Sequence, residues 1–282
     1  MPTGVPLEDE LGDVLEKALR DAGLNEEQLA ARSGVPVEKI HDAEDYRYDD
    51  LMADDLRRLA RALRLNEVGF RALAANRYPR PKIAGLPFCV YPLHMPFGVG
   101  VVNAYAVADC VTGVGVLFDA GADYGVLKKV WPKAVKRIEA VFLTHAETEH
   151  AGGVPGVLKR HGLATFYGPR GSPRELDCWP LGEGEAVVVA DFQVTAFNTP
   201  GHCADHNCYL VRRKGVPKGR ALLISGDLIF AGSLGGGYFC CRQLLQHAHR
   251  IIDALPGTTV IAPGHGPMTT VANERKYNPF LA

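Results

Sequence analysis

With 282 residues the chain has room for one large domain and one small one. Apolar residues make up 47% of it, enough to bury a core, and a formal net charge of −1 removes any whole-chain electrostatic case for a polyanionic partner. No run approaches the roughly 18–20 apolar residues of a membrane span. The early acids Glu8, Asp9 and Glu10 are unlike the basic start of a secretory leader, so a cytoplasmic protein is expected. The seven cysteines (Cys89, Cys110, Cys178, Cys203, Cys208, Cys240 and Cys241) are odd in number and irregularly spaced. They predict reduced thiols, neither a disulfide framework nor a metal cage.

The chain opens with helical patterning. Leu11, Val14, Leu15, Ala18 and Leu19 recur at helical spacing. Asn25 with Gln28 three residues on makes a capping box for a second helix. A turn at Ser33 and Gly34 leads into a third over 36–45, and Leu56, Leu59, Ala60 and Leu63 share one face of a further helix over 54–65. Residues 1–75 thus form a small all-α domain. Residues 76–84, with two prolines and three basic residues, read as a linker.

From 85 to 282 strands alternate with helices and glycine turns. Strands are predicted over 101–107, 115–118, 140–143, 186–189, 193–197, 207–211, 221–224 and 259–261. Helices are predicted over 124–130, 154–159 and 241–254, giving a layered α/β domain.

Chemistry concentrates where the apolar run ending in Leu143 meets His145, Glu147, Glu149 and His150, followed by Gly152 and Gly153. Imidazole and carboxylate together suit zinc, iron or manganese. Three further turns, each after an apolar strand, add His202 in Thr-Pro-Gly-His, Asp227 in Ser-Gly-Asp and His265 in Pro-Gly-His-Gly. A lone turn histidine is more often a solvated surface residue. Four turns that each deliver ligand-type side chains outweigh that reading.

This series resembles the metallo-β-lactamase superfamily over about 85–282, with its αββα sandwich. Phe118-Asp119-Ala-Gly121 looks like the family's structural turn. The stretch from Pro263 through Thr270, with Glu274 and Asn278-Pro-Phe, resembles the glyoxalase II-like branch. One departure matters. The usual His-x-His-x-Asp-His motif here has Glu147 and Glu149, and a glutamate at the second position resembles the flavodiiron proteins.

The resemblance implies two metal ions. One would be held by His145, Glu147 and His202, the other by Glu149, His150 and His265, with Asp227 bridging and Asp119 orienting a ligand histidine. Glu149 and Asp227 are the catalytic carboxylates it implies. Extra carboxylate charge favours iron, with zinc or manganese as the other candidates. Two chemistries follow: hydrolysis of a small thioester, ester or lactone by an acidified water, or reaction with oxygen, peroxide or nitric oxide, which needs an external electron donor. His206 reads as a polar loop residue or substitute ligand, and His94 as a candidate for the site's mouth. His247 and His249 read as solvated helix residues. Substrate-gripping residues are expected in the loops 168–179 and 234–242, the latter shaped by Gly235, Gly236 and Gly237.

Residues 11–73 resemble a Cro/phage-repressor-type helix-turn-helix domain, through Asn25 to Ile40 and Leu59 to Leu63. The recognition region is acidic. Residues 36–56 hold eight acids against Lys39 and Arg47, and residues 1–75 hold seventeen acids and ten bases. Phosphate binding needs the opposite sign. Two roles stay open: DNA binding, under control of a metal domain that senses a small molecule or redox state, or a dimerisation or docking module. A homodimer is expected because both domains are of kinds that often pair.

Overall fold

The computed structural model describes residues 5–163, 166–173, 177–216 and 219–281. Five helices come first: α1 (Leu11–Ala22), α2 (Glu26–Ser33), α3 (Val37–Glu44), α4 (Ala53–Leu63) and α5 (Glu67–Ala74). The expected capping box forms, with Asn25 and Gln28 each bonded to the other's backbone N–H. Leu11, Val14, Leu15, Ala18 and Leu19 turn inward from α1 and pack with Leu29, Ile40, Leu59 and Phe70. Gly34, in the left-handed region, turns the chain between α2 and α3.

This helical core does not stop at the fifth helix. It takes in Tyr78 and Ala231 and packs on Tyr277 and Phe280. Asn66 N–H donates to the Pro279 carbonyl at 2.7 Å, and the buried Tyr78 hydroxyl donates to Glu274 at 3.0 Å. The segment around Tyr78, which composition marks as linker, is therefore anchored to the C-terminal end of the chain.

The remainder is a four-layer sandwich. One six-stranded sheet runs β1 (Cys89–Phe97), β2 (Gly100–Ala108), β3 (Val114–Phe118), β4 (Arg137–Phe142), β5 (Phe166–Pro169), β6 (Trp179–Leu181) in that order. The other has the order β14 (Thr269–Thr270), β13 (Val260–Pro263), β10 (Leu222–Gly226), β9 (Asn207–Arg213), β8 (Phe192–Asn198), β7 (Ala186–Val189). A short ribbon pairs β11 (Ile229–Phe230) with β12 (Ser233–Leu234).

The period-two alternation of strands sorts side chains between layers. Tyr105, Val107, Phe142, Leu222 and Ile224 fill the space between the sheets. Val102, Ala104, Ala106 and Val141 face outward with Leu127 of α6 (Tyr124–Lys129) and Val157 of α8 (Val154–His161). On the other outer face Leu223 and Ile261 pack with Leu244, Ala248 and Ile251 of α9 (Cys241–Ala254) and with Val271 of α10 (Val271–Tyr277). A further short helix, α7 (Thr148–Ala151), follows β4. Among the described residues, no helix is long and apolar enough to cross a membrane.

Two expectations need correction. β1 is absent from the predicted strands because Pro92 and Pro96 interrupt its pattern. It survives because it lies at a sheet edge, where a missing N–H is tolerated. The cysteines are not all reduced. Antiparallel pairing of β1 with β2 sets Cys89 opposite Ala108 and brings Cys110 within a Cα–Cα distance of 5.2 Å, and the two form a disulfide. The other five are free. The hairpin return creates that proximity, which sequence spacing does not reveal.

Candidate metal centre

The site is assembled at the ends of strands. β4 runs out at Phe142, and the next residues place His145 and then Glu147 at the N-cap of α7, whose single turn carries Glu149 and His150. The loop after β8 brings His202, the loop after β10 brings Asp227, and the turn after β13 brings His265. Gly264 is required there. A Cβ on it would lie 2.1 Å from Asp227 Oδ1 and 2.9 Å from the His150 ring.

All seven residues singled out by sequence converge. Glu147 approaches His202 Nε2 at 3.3 Å and His145 Nε2 at 3.8 Å. Glu149 approaches His265 Nε2 at 3.2 Å and His150 Nε2 at 3.9 Å. Asp227 lies between the two groups, with Oδ1 3.6 Å from His150 Nε2 and Oδ2 3.4 Å from His265 Nε2 and 3.7 Å from His202 Nε2. Ligand-type atoms of Glu149, His150, Asp227 and His265 lie within 4.8 Å of one another, as do those of His145, His202 and Asp227.

Hydrogen bonding fixes each imidazole the same way. His202 Nδ1 donates to the Gly236 carbonyl at 2.9 Å and His265 Nδ1 to the Val101 carbonyl at 2.9 Å. His150 Nδ1 donates to Asp119 Oδ2 at 3.1 Å. The Thr144 hydroxyl donates to Asp119 at 2.9 Å and accepts from His145 Nδ1 at 3.0 Å. In every case Nδ1 is engaged by an oxygen outside the centre and Nε2 faces into it.

Asp119 thus orients two of the four rings. It also accepts from Thr144 N–H at 2.8 Å, and it adopts a left-handed φ of 55° to do so. A non-glycine residue held in that region at a functional site is strain supported by its surroundings.

The buried Nε2 atoms of His145, His150 and His202 and Oδ1 of Asp227 have no hydrogen-bond partner. Burying such atoms unpaired costs on the order of 1–3 kcal/mol each. Four in one place fit a site built for cations, and the mixed imidazole and carboxylate set fits two of them. Charges within the cluster are mutually adjusted. Burial opposes ionisation of Asp227, but the imidazoles of His265 and His150 more than reverse this and hold it well below the usual carboxylate range. Burial likewise opposes charge on His265, while Asp227 and Glu149 push it up to about 11. His145 is pulled down by burial and by neighbouring His150.

His206 is not a solvated loop residue. It is fully buried, its Nδ1 donates to the Thr199 hydroxyl at 2.7 Å, and its Nε2 accepts from Asp227 N–H at 3.2 Å. Burial and the nearby His145 and His202 keep it neutral, with its pKa well below the ordinary value. It positions the Asp227 turn. His94 does not line the mouth. It holds Asn103 at 2.7 Å, and Asn103 in turn donates to the carbonyls of Pro263 and Gly266 on either side of His265. His247 and His249 are half-buried on α9 rather than fully solvated. Of the two loops expected to grip substrate, Gly236 and Tyr238 of the second line the cleft above the centre. Residues 174–176 of the first lie outside the described residues.

The unexpected wall of that cleft is α1. Asp13, Glu16, Lys17 and Arg20 line it, together with Glu8 and Asp9 just upstream. The signal was present in sequence as the polar stripe opposite the apolar face of α1, but periodicity does not say what a polar stripe meets.

The family profile described as "Metallo-beta-lactamase superfamily" matches residues 97–275, so the helical unit lies outside the match. An "Uncharacterized protein" of Aquifex aeolicus (strain VF5) is 31% identical over 214 residues, 66% of this chain and 94% of that one. A hydroxyacylglutathione hydrolase of Enterobacter sp. (strain 638) is 28% identical over 150 residues, and the match spans 53% of this chain but only 56% of that hydrolase. Among solved structures, BLEG-1 B3 metallo-beta-lactamase superposes with a TM-score of 0.56 at 27% identity, covering 67% of this chain and 98% of that one. TTHA1623 in a di-iron-bound form gives 0.52 at 27% identity, covering 68% and 100%.

Proposed function

The chain belongs to the metallo-β-lactamase superfamily, and from that premise we propose that it is a dimetal hydrolase of a small thioester, ester or lactone. The observation that carries the reading is the set of buried, unpaired ligand-type atoms converging from four turns. His145, Glu147 and His202 would hold one ion and Glu149, His150 and His265 the other, with Asp227 shared. Two bound cations supply Lewis acidity at a carbonyl and a water acidified toward neutrality.

The chain's own residues do the rest. Asp119 and Thr144 fix the His145 and His150 rings, His206 fixes the Asp227 turn, and Glu149 and Asp227 are carboxylates at the floor of the cleft. The similarity to hydroxyacylglutathione hydrolase supports hydrolysis as the reaction class. The test is protein loaded with iron, zinc or manganese and offered a panel of small thioesters, esters and lactones. Inactivity across the panel with every metal removes the reading.

A second reading rests on Glu147 and Glu149. Two carboxylates where the common motif has His and Asp favour iron, and a relative of 27% identity is described in a di-iron-bound form. Reaction with oxygen or nitric oxide then needs an external electron donor. Donor-dependent oxygen or nitric oxide consumption by the iron-loaded protein tests it.

The helical unit we assign to the cleft rather than to DNA. Lys39 pairs with Asp55, Arg47 with Asp42 and Asp45, Arg57 with Asp54, and Arg58 with Asp54 and Asp55. The bases of the recognition region are neutralised by local acids, which disfavours phosphate contact. A gel shift with genomic fragments at low salt tests this, and retardation in any metal state would return the regulator reading.

A further inference from the structure

The cleft above the metal centre has a volume of about 420 Å³, and α1 closes one side of it. The residues that do so, Asp13, Glu16, Lys17 and Arg20, fall at helical spacing on the face opposite the buried Leu11, Val14, Leu15 and Ala18. Only one aromatic ring separates this face from the ligand imidazoles on either side. The Tyr238 ring is 5.4 Å from His202, with the Arg20 guanidinium 5.9 Å from its centroid. The Phe230 ring is 5.6 Å from His265, with Lys17 Nζ 5.5 Å from its centroid.

The charges on this wall do not cancel. Both cations are already committed. Lys17 pairs with Asp9 and donates to the Leu234 carbonyl at 2.8 Å, and Arg20 pairs with Glu16 at 2.6 Å. Among the described residues, one carboxylate of this wall, Asp13, remains without a cationic partner of its own. Asp13 accepts only neutral donors, Glu10 N–H at 2.8 Å and the Tyr46 hydroxyl at 2.7 Å. Glu8 lies 3.7 Å from His265 Nδ1, so the charge of that imidazole offsets it. Independently of these acids, the floor of the same cleft carries the buried, unpartnered His202 Nε2 and Asp227 Oδ1, so a ligand reaching them lies beside α1.

We infer that the charged face of α1 is the substrate-selecting wall of the cleft, and that it favours an acyl substrate bearing a cationic group over one bearing a carboxylate. A substrate whose carbonyl reaches the centre lays its remaining part against α1. A carboxylate there meets the uncompensated charge of Asp13 within a partly desolvated cleft, and a quaternary ammonium is attracted by it. The hydrolytic step rests on the function proposed above, whereas the selectivity is a binding property that can be read without turnover.

Three thioacetates of similar shape provide the probes: acetylthiocholine, its neutral 3,3-dimethylbutyl isostere and S-acetyl-3-mercaptopropionate. With the metal-loaded full chain, kcat/KM should fall in that order by about three- to fivefold per step, the range expected for one charge acting across a cleft of this width. The difference should lie in KM and shrink at high salt. Asp13→Asn removes the uncompensated charge and Glu16→Gln releases Arg20, so each should lower the cationic-to-anionic ratio by a similar factor. That ratio is internal to each variant and does not depend on how much of it folds. In parallel, equilibrium binding is measured with the ketone analogues in which CH₂ replaces the thioester sulfur. Equal constants for all three probes, or a preference for the carboxylate, would overturn the inference. If no probe is hydrolysed but the ketones bind in the stated order, the selectivity stands and the hydrolase reading falls.

Discussion

Gly69 offers a sharp test of whether the helical unit is built onto the body of the protein. It sits on α5 where that helix crosses the C-terminal segment. A Cβ at this position would stand 1.7 Å from the Tyr277 carbonyl oxygen, 2.6 Å from its carbon and 3.3 Å from Pro279 N. Ordinary carbon–oxygen contacts begin near 3.3 Å, so Gly69→Ala forces a retreat of roughly 1.5 Å between two backbones that have no rotamer to escape into. Overpacking of this kind costs about 1–3 kcal/mol. The retreat also breaks the bonds from Asn66 N–H to Pro279 O and from Asn66 Nδ2 to Lys276 O, at about 1 kcal/mol each. A loss of about 3–5 kcal/mol is therefore expected from urea unfolding. Phe70, the next residue, shares a core with Leu11 and Leu15, so the movement reaches α1 and the cleft wall. KM should rise several-fold while kcat changes less. A variant within about 1 kcal/mol of the parent, with unchanged KM, would refute this docking.

Other consequences are open to direct measurement. The oxidised, denatured chain should show five titratable thiols rather than seven, and Cys89→Ser should lower stability by about 3 kcal/mol, the scale for closing a loop of this length. Asp119→Asn should keep the fold, because asparagine tolerates the left-handed φ of 55°. Losing the charge that orients His150 and Thr144 should weaken metal affinity about 10–100-fold in a chelator competition, and unchanged affinity would deny Asp119 that role. Glu44 is held up to about 7 by burial and then by sharing a proton with Glu26. Its folded value lies above the ordinary 4.5, so the stability it contributes is present in acid and lost as pH rises through about 7. Glu44→Gln should remove that slope and raise the melting temperature above pH 7, and an identical pH profile would contradict the assignment.

What could be read from sequence followed from how locally each feature is encoded. The helix over Cys241–Ala254 and the strand over Ala186–Val189 announce themselves through period and punctuation, and both form over the predicted residues. The metal centre was legible because its ligands sit at turns after apolar strands, and their type and order carry the signal even though the folded distances do not. Features set by tertiary contact were not legible. β5 and β6 are four and three residues long and carry Pro169 and Pro180, so they form only because neighbouring strands supply partners. His206 looks like any polar loop residue until Asp227 N–H is seen to need an acceptor. Tyr78 sits in a stretch of linker composition, but its ring finds Tyr277 and its hydroxyl finds Glu274. The polar stripe of α1 is the clearest case. Amphipathicity locates its buried face and says nothing of what the other meets, whereas the fold lays it over the site.

The central claim is a two-ion centre held by imidazole and carboxylate, and metal content per chain tests it most directly. Protein purified anaerobically after growth with iron supplied should carry close to two ions per chain, mostly iron, and Asp227→Ala, which removes the shared ligand, should lose most of both. One ion or none in the parent protein, or an unchanged content in Asp227→Ala, would contradict the account. Two zinc ions and no iron would keep the centre and overturn the preference for iron that Glu147 and Glu149 suggest.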